Sequence, residues 1–345
     1  MEKKKLEWLS SVRGLAALLV VLRHIWPYFY AGREHIAPMR AAEFVITDII
    51  DMGKVGVVIF FLISGCLLPK GMAGKTRREF VLNRVIRLYP AYWVSIFTAV
   101  IFVGGYSLKQ VLVNLTMLQT FLFVPDVMGV YWTMPIEIVL YIGCLIFYKG
   151  LKDNNIKLIH ILYALIGAAS LGIAFLRGFT GLKLPVAMCT LIFTAFLGHY
   201  IRLYRDGDIS LRQFCGALAF FGVIITAASF LAYNTDMGFD EKWYRYVLSY
   251  GLGVMLFLLF SSKGLGCRFL SKMGALSYSL YLMHRVVITF MCDKIMADKI
   301  CPVWYLAAVA VIIFAVTVCV NYLIENKLTK FLNGRLKKAA VHERS

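Results

Sequence analysis

Apolar stretches long enough to cross a membrane recur along the whole chain, and they restrict the fold more than any other feature. A membrane-spanning helix needs about 20 mainly apolar residues, and the first such stretch runs from Leu6 to Tyr30. Nine more are found at about 45–68, 86–104, 131–149, 156–176, 184–203, 213–233, 243–261, 274–292 and 303–326. The sequence therefore predicts an all-α, polytopic membrane protein with about ten transmembrane helices.

The composition agrees with a membrane protein. The chain is 60% hydrophobic and 16% charged, whereas soluble proteins are about 45–50% apolar and about 25% charged. The net charge of +18 would indicate a nucleic-acid partner in a soluble protein. Here the basic residues lie mainly in the segments between spans, so we expect no nucleic-acid partner. The first apolar stretch has no small-residue cleavage site, and we expect it to belong to the mature fold.

The distribution of basic residues predicts the orientation of the chain. With the N-terminus in the cytoplasm, 24 lysines and arginines fall in inner segments and nine in outer segments. Short cytoplasmic loops carry such an excess of Lys and Arg, so both termini are predicted to be cytoplasmic. We expect one transmembrane domain over residues 1–330 and a basic cytoplasmic tail over 331–345. A shorter apolar run over 110–124, which Pro125 ends, is expected to form an interfacial or re-entrant helix.

The eight cysteines give no sign of a metal site or of disulfide bonds. Six of them fall in apolar stretches, and neither a CxxC motif nor a Cys/His ligand spacing occurs. Cysteines in such positions pack as small hydrophobic residues. We therefore predict no disulfide bond and no metal site.

Two ionisable residues in the first span suggest a polar path through the membrane. Arg13 and His24 are eleven residues apart, so they share a helix face at positions roughly 16 Å apart along the axis. Ionisable residues inside membrane helices are costly and usually face a polar interior. Arg13 is either a snorkelling arginine or an anion ligand. His24 is either an interfacial histidine or a general base, for which an imidazole that titrates near neutral pH is well suited.

Three other charged residues are candidates for chemistry. Arg84 and Arg87 are one turn apart and interleaved with apolar residues, unlike ordinary loop charges. Guanidinium groups bind phosphates through two parallel hydrogen bonds, so a nucleotide-bearing donor on the cytoplasmic side would fit them. Glu137 lies about as deep in the fourth span as His24 does in the first. It is expected to hold the imidazole of His24 or a substrate hydroxyl, or else to be a structural partner for a basic residue.

Small and hydroxyl-bearing residues form a further group. Ser64 and Gly65 would let a helix or a ligand approach closely, and packing is a better interpretation of Ser64 than nucleophilic catalysis. Ser277, Tyr281 and His284 share one face of the ninth span. They either line a polar cavity or form hydrogen bonds between helices, which we favour for Ser277 and Tyr281. We expect Glu325 to pair with an arginine near the inner face.

These stretches, in this order, resemble the acyltransferase 3 family of bacterial integral membrane acyltransferases. The matching residues are Arg13-Gly14 with His24, FFLISG over 60–65, Arg84 and Arg87 before Tyr89-Pro90, Trp132-Thr133 with Glu137, Ser277-Tyr278-Ser279 with Tyr281-Leu282 and His284, and the closing YLIENKLTKF. The closing stretch has Asn326-Lys327 where a proline is common in the family, two places after the glutamate.

The resemblance implies ten membrane helices in a bacterial cytoplasmic membrane. It implies acyl transfer, usually of acetyl from acetyl-CoA, to a hydroxyl of a carbohydrate or a lipid-linked glycan. The donor is a substrate, and no permanently bound cofactor is expected. The family's motifs place the catalytic histidine at His24 and the acyl-CoA contacts at Arg13, Arg84 and Arg87. We further expect the substrate to be contacted by Ser64, Trp132, Tyr281 and His284.

The sequence predicts direct transfer across the membrane. In this hypothesis, basic residues at the cytoplasmic mouth hold the donor phosphates, and the pantetheine arm reaches towards His24. His24 then removes the proton of the acceptor hydroxyl, with Glu137 orienting its ring. Three alternatives stay open: an acyl-histidine intermediate, a succinyl or other acyl group in place of acetyl, and a non-enzymatic transporter or flippase of glycan intermediates. The transporter is less favoured because no internal repeat is found.

Overall fold

The structure is a computed structural model, and it describes residues 2–32, 35–235, 241–297 and 299–342, with side chains from residue 7 to residue 335 within those ranges. Of the described residues, 83% are helical, and none forms a β-strand. In chain order the α-helices are α1 Glu2–Tyr30, α2 Ala37–Phe44, α3 Met52–Met72, α4 Arg77–Phe102, α5 Leu108–Leu115, α6 Thr133–Ile146, α7 Tyr148–Lys152, α8 Ile156–Thr180, α9 Val186–Asp206, α10 Leu211–Tyr233, α11 Trp243–Lys263, α12 Arg268–Ile288, α13 Val303–Val320 and α14 Thr329–His342.

The predicted number of spans is confirmed. Within the described residues, ten helices are long and apolar enough to cross a membrane. For two of them, polar side chains in the first turn explain why the helix begins at another residue than the apolar pattern indicated. α3 begins after Asp51, whose carboxylate accepts from the amide of Lys54. α4 begins after Thr76, which forms a reciprocal capping box with Glu79.

The ends of the chain only partly fall within the described residues. α14 covers most of the predicted basic tail over 331–345, with described side chains up to residue 335. Residues 343–345 lie outside the described residues, as does Arg33. The side chains of Lys3, Lys4, Lys5, Lys337 and Lys338, which also entered the charge count, lie outside the described side chains. The cytoplasmic position of both termini stays a prediction.

The chain forms two compact units. The first unit contains residues Met1–Arg23, Arg33–Ala73 and Ile142–Ala275. Its centre is the contact between α3 and α9, where glycines replace side chains. A Cβ atom on Gly65 would lie 1.6 Å from the carbonyl oxygen of Ala195, and one on Gly198 would lie 2.1 Å from that of Leu62. The small residue at position 65 therefore serves close helix packing, as the sequence suggested.

A buried group of charges lies at one end of the first unit. The Asp51 carboxylate lies 2.9 Å from Nζ of Lys54, 3.6 Å from Nη2 of Arg245 and 3.7 Å from Nε of Arg23. Burial alone would raise the pKa of Asp51, but the charges of Lys54 and Arg23 and the hydrogen bonds from Lys54 outweigh it and lower that pKa to about 2. The carboxylate therefore stays ionised and connects three cationic side chains.

The second unit contains residues His24–Gly32, Gly74–Tyr141 and Leu276–Ser345. Its helix α5 is followed by non-helical turns that return along α4. Tyr89 Oη donates to the carbonyl of Thr116 at 3.0 Å, and Trp93 Nε1 donates to that of Leu115 at 2.9 Å. Tyr89 lies thirteen residues before the end of α4 at Phe102, which is about 20 Å along a helix. The short apolar run therefore reaches well into the length of α4, as expected of a re-entrant segment.

Amide side chains hold this re-entrant segment together. Asn114 is fully buried, donates to the carbonyl of Pro125 at 3.0 Å and accepts from the amide of Val127 at 3.0 Å. Gln119 Nε2 donates to the carboxylate of Asp126 at 2.8 Å. Non-helical backbone needs such internal partners wherever lipid offers none.

Candidate active site

The stretch from Ser277 to His284 on α12 connects much of the second unit. Tyr278 Oη donates to the carbonyl of Leu88 on α4 at 2.7 Å. The backbone amide and the hydroxyl of Ser279 both donate to the carboxylate of Glu325, which gives Glu325 a partner other than the arginine we expected. Each of these side chains reaches a different element, so α12 acts as the scaffold of the site.

Tyr281 continues the same pattern. Its hydroxyl lies 2.7 Å from the carbonyl of Val130, to which it donates, and 2.8 Å from Oγ1 of Thr133. The side chain is 7% exposed. The preferred interpretation of Tyr281 as a hydrogen bond between elements is confirmed, and these bonds fix the start of α6. Its predicted contact with substrate stays a prediction.

A pair of histidines lies at the far end of this stretch. His284 is fully buried, and its Nε2 lies 3.2 Å from Nδ1 of His24 on α1. The two ring centroids are 5.0 Å apart. The Nδ1 atom of His284 lies 2.9 Å from the carbonyl oxygen of Leu280. His24, which the sequence singled out first, therefore has a defined neighbour from α12.

The hydrogen bonds assign the tautomers of this pair. A carbonyl oxygen only accepts, so Nδ1 of His284 carries the proton, and in the neutral ring Nε2 of His284 is then an acceptor. The proton between the rings must therefore come from Nδ1 of His24. In a neutral His24 ring the lone pair is then on Nε2. The buried His284 thus accepts from Nδ1 of His24, the position at which a carboxylate accepts in the triad of serine hydrolases.

A cationic and aromatic group forms at the start of α4. The guanidinium carbon of Arg84 lies 4.8 Å from the ring centroid of Tyr141 and 5.2 Å from that of Phe80. Tyr141 donates its hydroxyl hydrogen to the carboxylate of Glu137, one helical turn away. Aromatic faces hold a guanidinium while its N–H groups stay in the plane of the group. The packing therefore fixes the direction in which Arg84 presents its donors.

A second cation stands beside Arg84. Burial lowers the pKa of Lys75, the charge of Arg84 lowers it further, and Glu79 acts in the opposite direction. Like charges held near each other disfavour the protonated form. An anion bound between them would remove that cost, so this end of α4 is suited to a phosphate group.

A third polar group lies one helical turn beyond His24. Tyr28 donates its hydroxyl hydrogen to the carboxylate of Asp293, and Nη2 of Arg285 lies 3.7 Å from that carboxylate. Residues four apart on a helix share a face, and Arg285 directly follows His284. The histidine pair is therefore adjacent to a tyrosine, an arginine and an aspartate, side chains that hydrogen-bond to hydroxyl groups.

The remaining predicted residues have the following positions. Arg13 and Ser64 belong to the first unit, and both are half-buried. Arg87 is exposed on α4, one turn after Arg84. Trp132 is half-buried in the short helical turn Gly129–Trp132 that precedes α6. Within the described residues no group of three or more His, Cys, Asp or Glu could hold a metal ion.

Sequence reasoning missed three partners of predicted residues. It grouped His284 with the substrate contacts, whereas the structure shows it bonded to His24. It also overlooked Tyr141 and Phe80, which flank Arg84. A signal for both aromatic residues was present, because Phe80 lies four residues before Arg84 and Tyr141 lies four residues after Glu137. Glu137 accepts the hydrogen bond of Tyr141, and its predicted orientation of the His24 ring stays a prediction.

The fold and this site define a multi-pass membrane acyltransferase. Residues 6–325 match the acyltransferase 3 family, described as an acyltransferase domain, over nearly the whole chain. The chain belongs to this family, as the motifs in the sequence indicated. No curated protein and no solved structure matches the chain.

Proposed function

We propose that this protein transfers an acyl group, most often acetyl, from a cytoplasmic acyl-CoA to a hydroxyl of a cell-surface carbohydrate or lipid-linked glycan. The observation that carries the proposal is the 3.2 Å contact between His24 and His284, in a chain of the acyltransferase family. The location that this activity requires is the bacterial cytoplasmic membrane, with both termini inside.

The chemistry centres on Nε2 of His24. In the proposed reaction the acceptor hydroxyl donates to this nitrogen and loses its proton as its oxygen attacks the thioester carbonyl. The C–S bond then breaks, and CoA leaves as the thiol after it takes up the proton. General base catalysis of this kind typically contributes about 10²–10⁴-fold to a rate. The imidazolium that forms on His24 keeps its Nδ1–H bond to His284, and a bond from a charged donor is stronger than a neutral one.

Arg84 and Lys75 are proposed to bind the donor. Burial and then the charge of Arg84 lower the pKa of Lys75, and phosphate groups would relieve the repulsion between the two cations. Arg87 and Arg13 are proposed as further contacts with the donor. Glu137 fixes Tyr141 and, through its ring, the direction of the Arg84 guanidinium.

The acceptor is proposed to bind near Tyr28, Arg285 and Asp293. These side chains supply both donors and acceptors of hydrogen bonds one turn from His24, and sugar hydroxyls require both. Trp132 and Ser64 stay predicted substrate contacts. Tyr281 is bonded to Val130 and Thr133, so its part in this proposal is to support the site.

The purified protein in lipid bilayers, given acetyl-CoA labelled in its acetyl group and a cell-surface glycan fraction, tests the proposal. We expect label in the glycan with the unaltered protein and at least a hundredfold less with His24→Ala. His160→Ala is the matched control, since it removes a histidine of the other unit. Full transfer by His24→Ala would overturn the role of His24, and no label from any acyl-CoA would overturn the activity.

A further inference from the structure

A cleft in the first unit lies outside the residues proposed for catalysis. It has a volume of about 330 Å³ and is formed by α8, α9 and α10. Small-molecule sites in proteins occupy about 300–1,000 Å³. Its lining residues are His160, Tyr163, Ala164, Tyr200, Gln213, Gly216, Ala217 and Phe220.

The cleft is polar at one end. His160 lies in the second turn of α8, and its Nδ1 is hydrogen-bonded to the hydroxyl of Tyr200. Gln213 lies in the first turn of α10, and its Oε1 accepts from the amide of Ser210 at 2.9 Å. Its amide nitrogen is therefore the group that it can offer to a ligand. These side chains stand where helices begin, which is the level of the membrane surface.

The cleft becomes apolar towards the middle of the helices. Gln213, Gly216, Ala217 and Phe220 share one face of α10, and Phe220 is about 10 Å further along the axis than Gln213. A Cβ atom on Gly216 would have no heavy atom within 4 Å. The small residues on α10 leave the space that makes the cleft, and its walls are aromatic rings and aliphatic side chains.

Basic residues surround the polar end. Lys157 is exposed one turn before His160, and Arg212 is exposed one turn before Gly216. A negatively charged group at the membrane surface would meet both cations. A chain that extends from it would run along the apolar face of α10.

We propose that this cleft binds one acyl chain of an anionic glycerophospholipid, with the phosphate at the level of His160 and Gln213. The site is independent of the proposed acyl transfer. Phosphatidylglycerol fits because it combines a net negative charge with hydroxyl groups that His160, Tyr200 and Gln213 can bond. The cleft matches such a lipid in shape and in charge. It is an aromatic groove about 10 Å long, and it is open at the end that carries the cations.

Native mass spectrometry of the purified protein with added phosphatidylglycerol tests the proposal. We expect the phenyl ring of Gly216→Phe to fill the cleft and to weaken lipid binding at least about tenfold. A loss of this size corresponds to about two methylene groups of the acyl chain that are no longer buried. Gly222→Phe is the matched control, because position 222 is exposed on the same helix, does not line the cleft and also has open space around its Cβ position. We expect it to bind as the unaltered protein does.

Two further binding measurements test whether the ligand is an anionic lipid rather than a neutral lipid or free phosphate. The double variant Lys157→Gln with Arg212→Gln should lose the preference for phosphatidylglycerol over phosphatidylcholine. Inorganic phosphate alone, at matched concentration, should neither bind nor displace the lipid. Unchanged binding by Gly216→Phe, equal binding of both lipids by the unaltered protein, or displacement by inorganic phosphate would each overturn the proposal. A thermal shift with the same lipids shows that each variant is folded.

Discussion

The Nε2 atom of His284 lies 3.2 Å from the Nδ1 atom of His24, and the carbonyl bonded to Nδ1 of His284 sets the direction of the hydrogen bond between the two rings. His284 donates to a backbone carbonyl and accepts from His24. His24 consequently presents the lone pair of Nε2. In the proposed reaction, this buried neighbour on α12 holds the ring of His24 in one orientation.

Removing the acceptor from this pair should lower the rate of acyl transfer. We expect His284→Leu to reduce kcat about 10²-fold, the lower end of what a positioned base contributes, because the ring of His24 can then rotate and change its tautomer. His284→Gln places an amide oxygen where it can accept from Nδ1 of His24, and should retain more activity. The pH profile of kcat checks the mechanism. It should change with leucine and be largely restored with glutamine, whereas equal losses without a change in profile would show a purely structural role.

Arg84 should matter for the donor through its geometry as well as its charge. Arg84→Lys keeps the charge but loses the planar group that stacks on Tyr141 and Phe80. We expect it to raise KM for acetyl-CoA about tenfold, which corresponds to a loss of about 1.4 kcal/mol of binding free energy. KM for the acceptor should change less. Arg78→Lys, at an exposed position on the same helix, is the control. Equal effects of the two substitutions would contradict a specific role for Arg84.

Asp126 should make the protein less stable as the pH rises from about 4 to 6. Burial raises the pKa of Asp126 to about 6, against a smaller opposing effect of its bond from Gln119. The folded state therefore binds more protons than the unfolded state in that range, and stability falls as Asp126 ionises. The full cost, present above pH 6, is at most about 3 kcal/mol.

Asp126→Asn isolates this effect, because asparagine keeps an oxygen for the bond from Gln119. We expect the variant to unfold at a higher temperature than the unaltered protein at pH 7, and the difference to vanish near pH 4. Thermal unfolding in detergent at both pH values is the measurement. A variant that is less stable at pH 7 would contradict the assignment.

Ser279 should stabilise the second unit through its bonds to Glu325. Ser279→Ala removes a hydroxyl that donates to a carboxylate, and such bonds contribute about 1.5–3 kcal/mol. Ser277→Ala removes a similar buried hydroxyl from the same helix and should cost less. The unfolding free energy in a mixed-micelle titration compares the two. A larger loss from Ser277→Ala would show that the bond to Glu325 is not what stabilises this region.

His199 should be replaceable by a hydrophobic residue. It is 1% exposed, and among the described residues its ring nitrogens make no hydrogen bond of good geometry beyond a weak interaction with the backbone of Gly65, so its polar atoms are buried at a cost of about 1–3 kcal/mol. We expect His199→Leu to leave the unfolding free energy unchanged or to raise it. Ser170→Leu, at a fully buried serine bonded to the carbonyl of Ile166, should destabilise. A loss of acyl transfer by His199→Leu at normal stability would indicate a functional role.

Much of the fold followed from the sequence because a bilayer leaves few choices. Apolar stretches of sufficient length must become helices, and their number was predicted. The start of α4 was placed too late, since the apolar pattern does not register a capping box such as that of Thr76 and Glu79. The shortness of the run over 110–124 and Pro125 distinguished it from the spans, and the sequence left open whether it is interfacial or re-entrant.

The site was harder to predict than the fold. Periodicity shows which residues share a helix face, but it does not show which helices are neighbours. His24 and His284 are 260 residues apart, and only tertiary packing brings them together. Tyr141 was overlooked for a different reason. An aromatic residue in an apolar span looks like core, and its role is visible only when Arg84 is found beside its ring.

The re-entrant segment also has a consequence for biogenesis. At eight residues, α5 is too short to be released into lipid as a span of its own. Its turns depend on donors that α4 provides, Tyr89 Oη and Trp93 Nε1. We therefore expect α4 to be inserted into the bilayer before this segment packs against it. The hydropathy of the segment, which the translocon reads, is not enough to define its final position. Assembly of this enzyme thus includes a packing step within the lipid after its helices have been inserted.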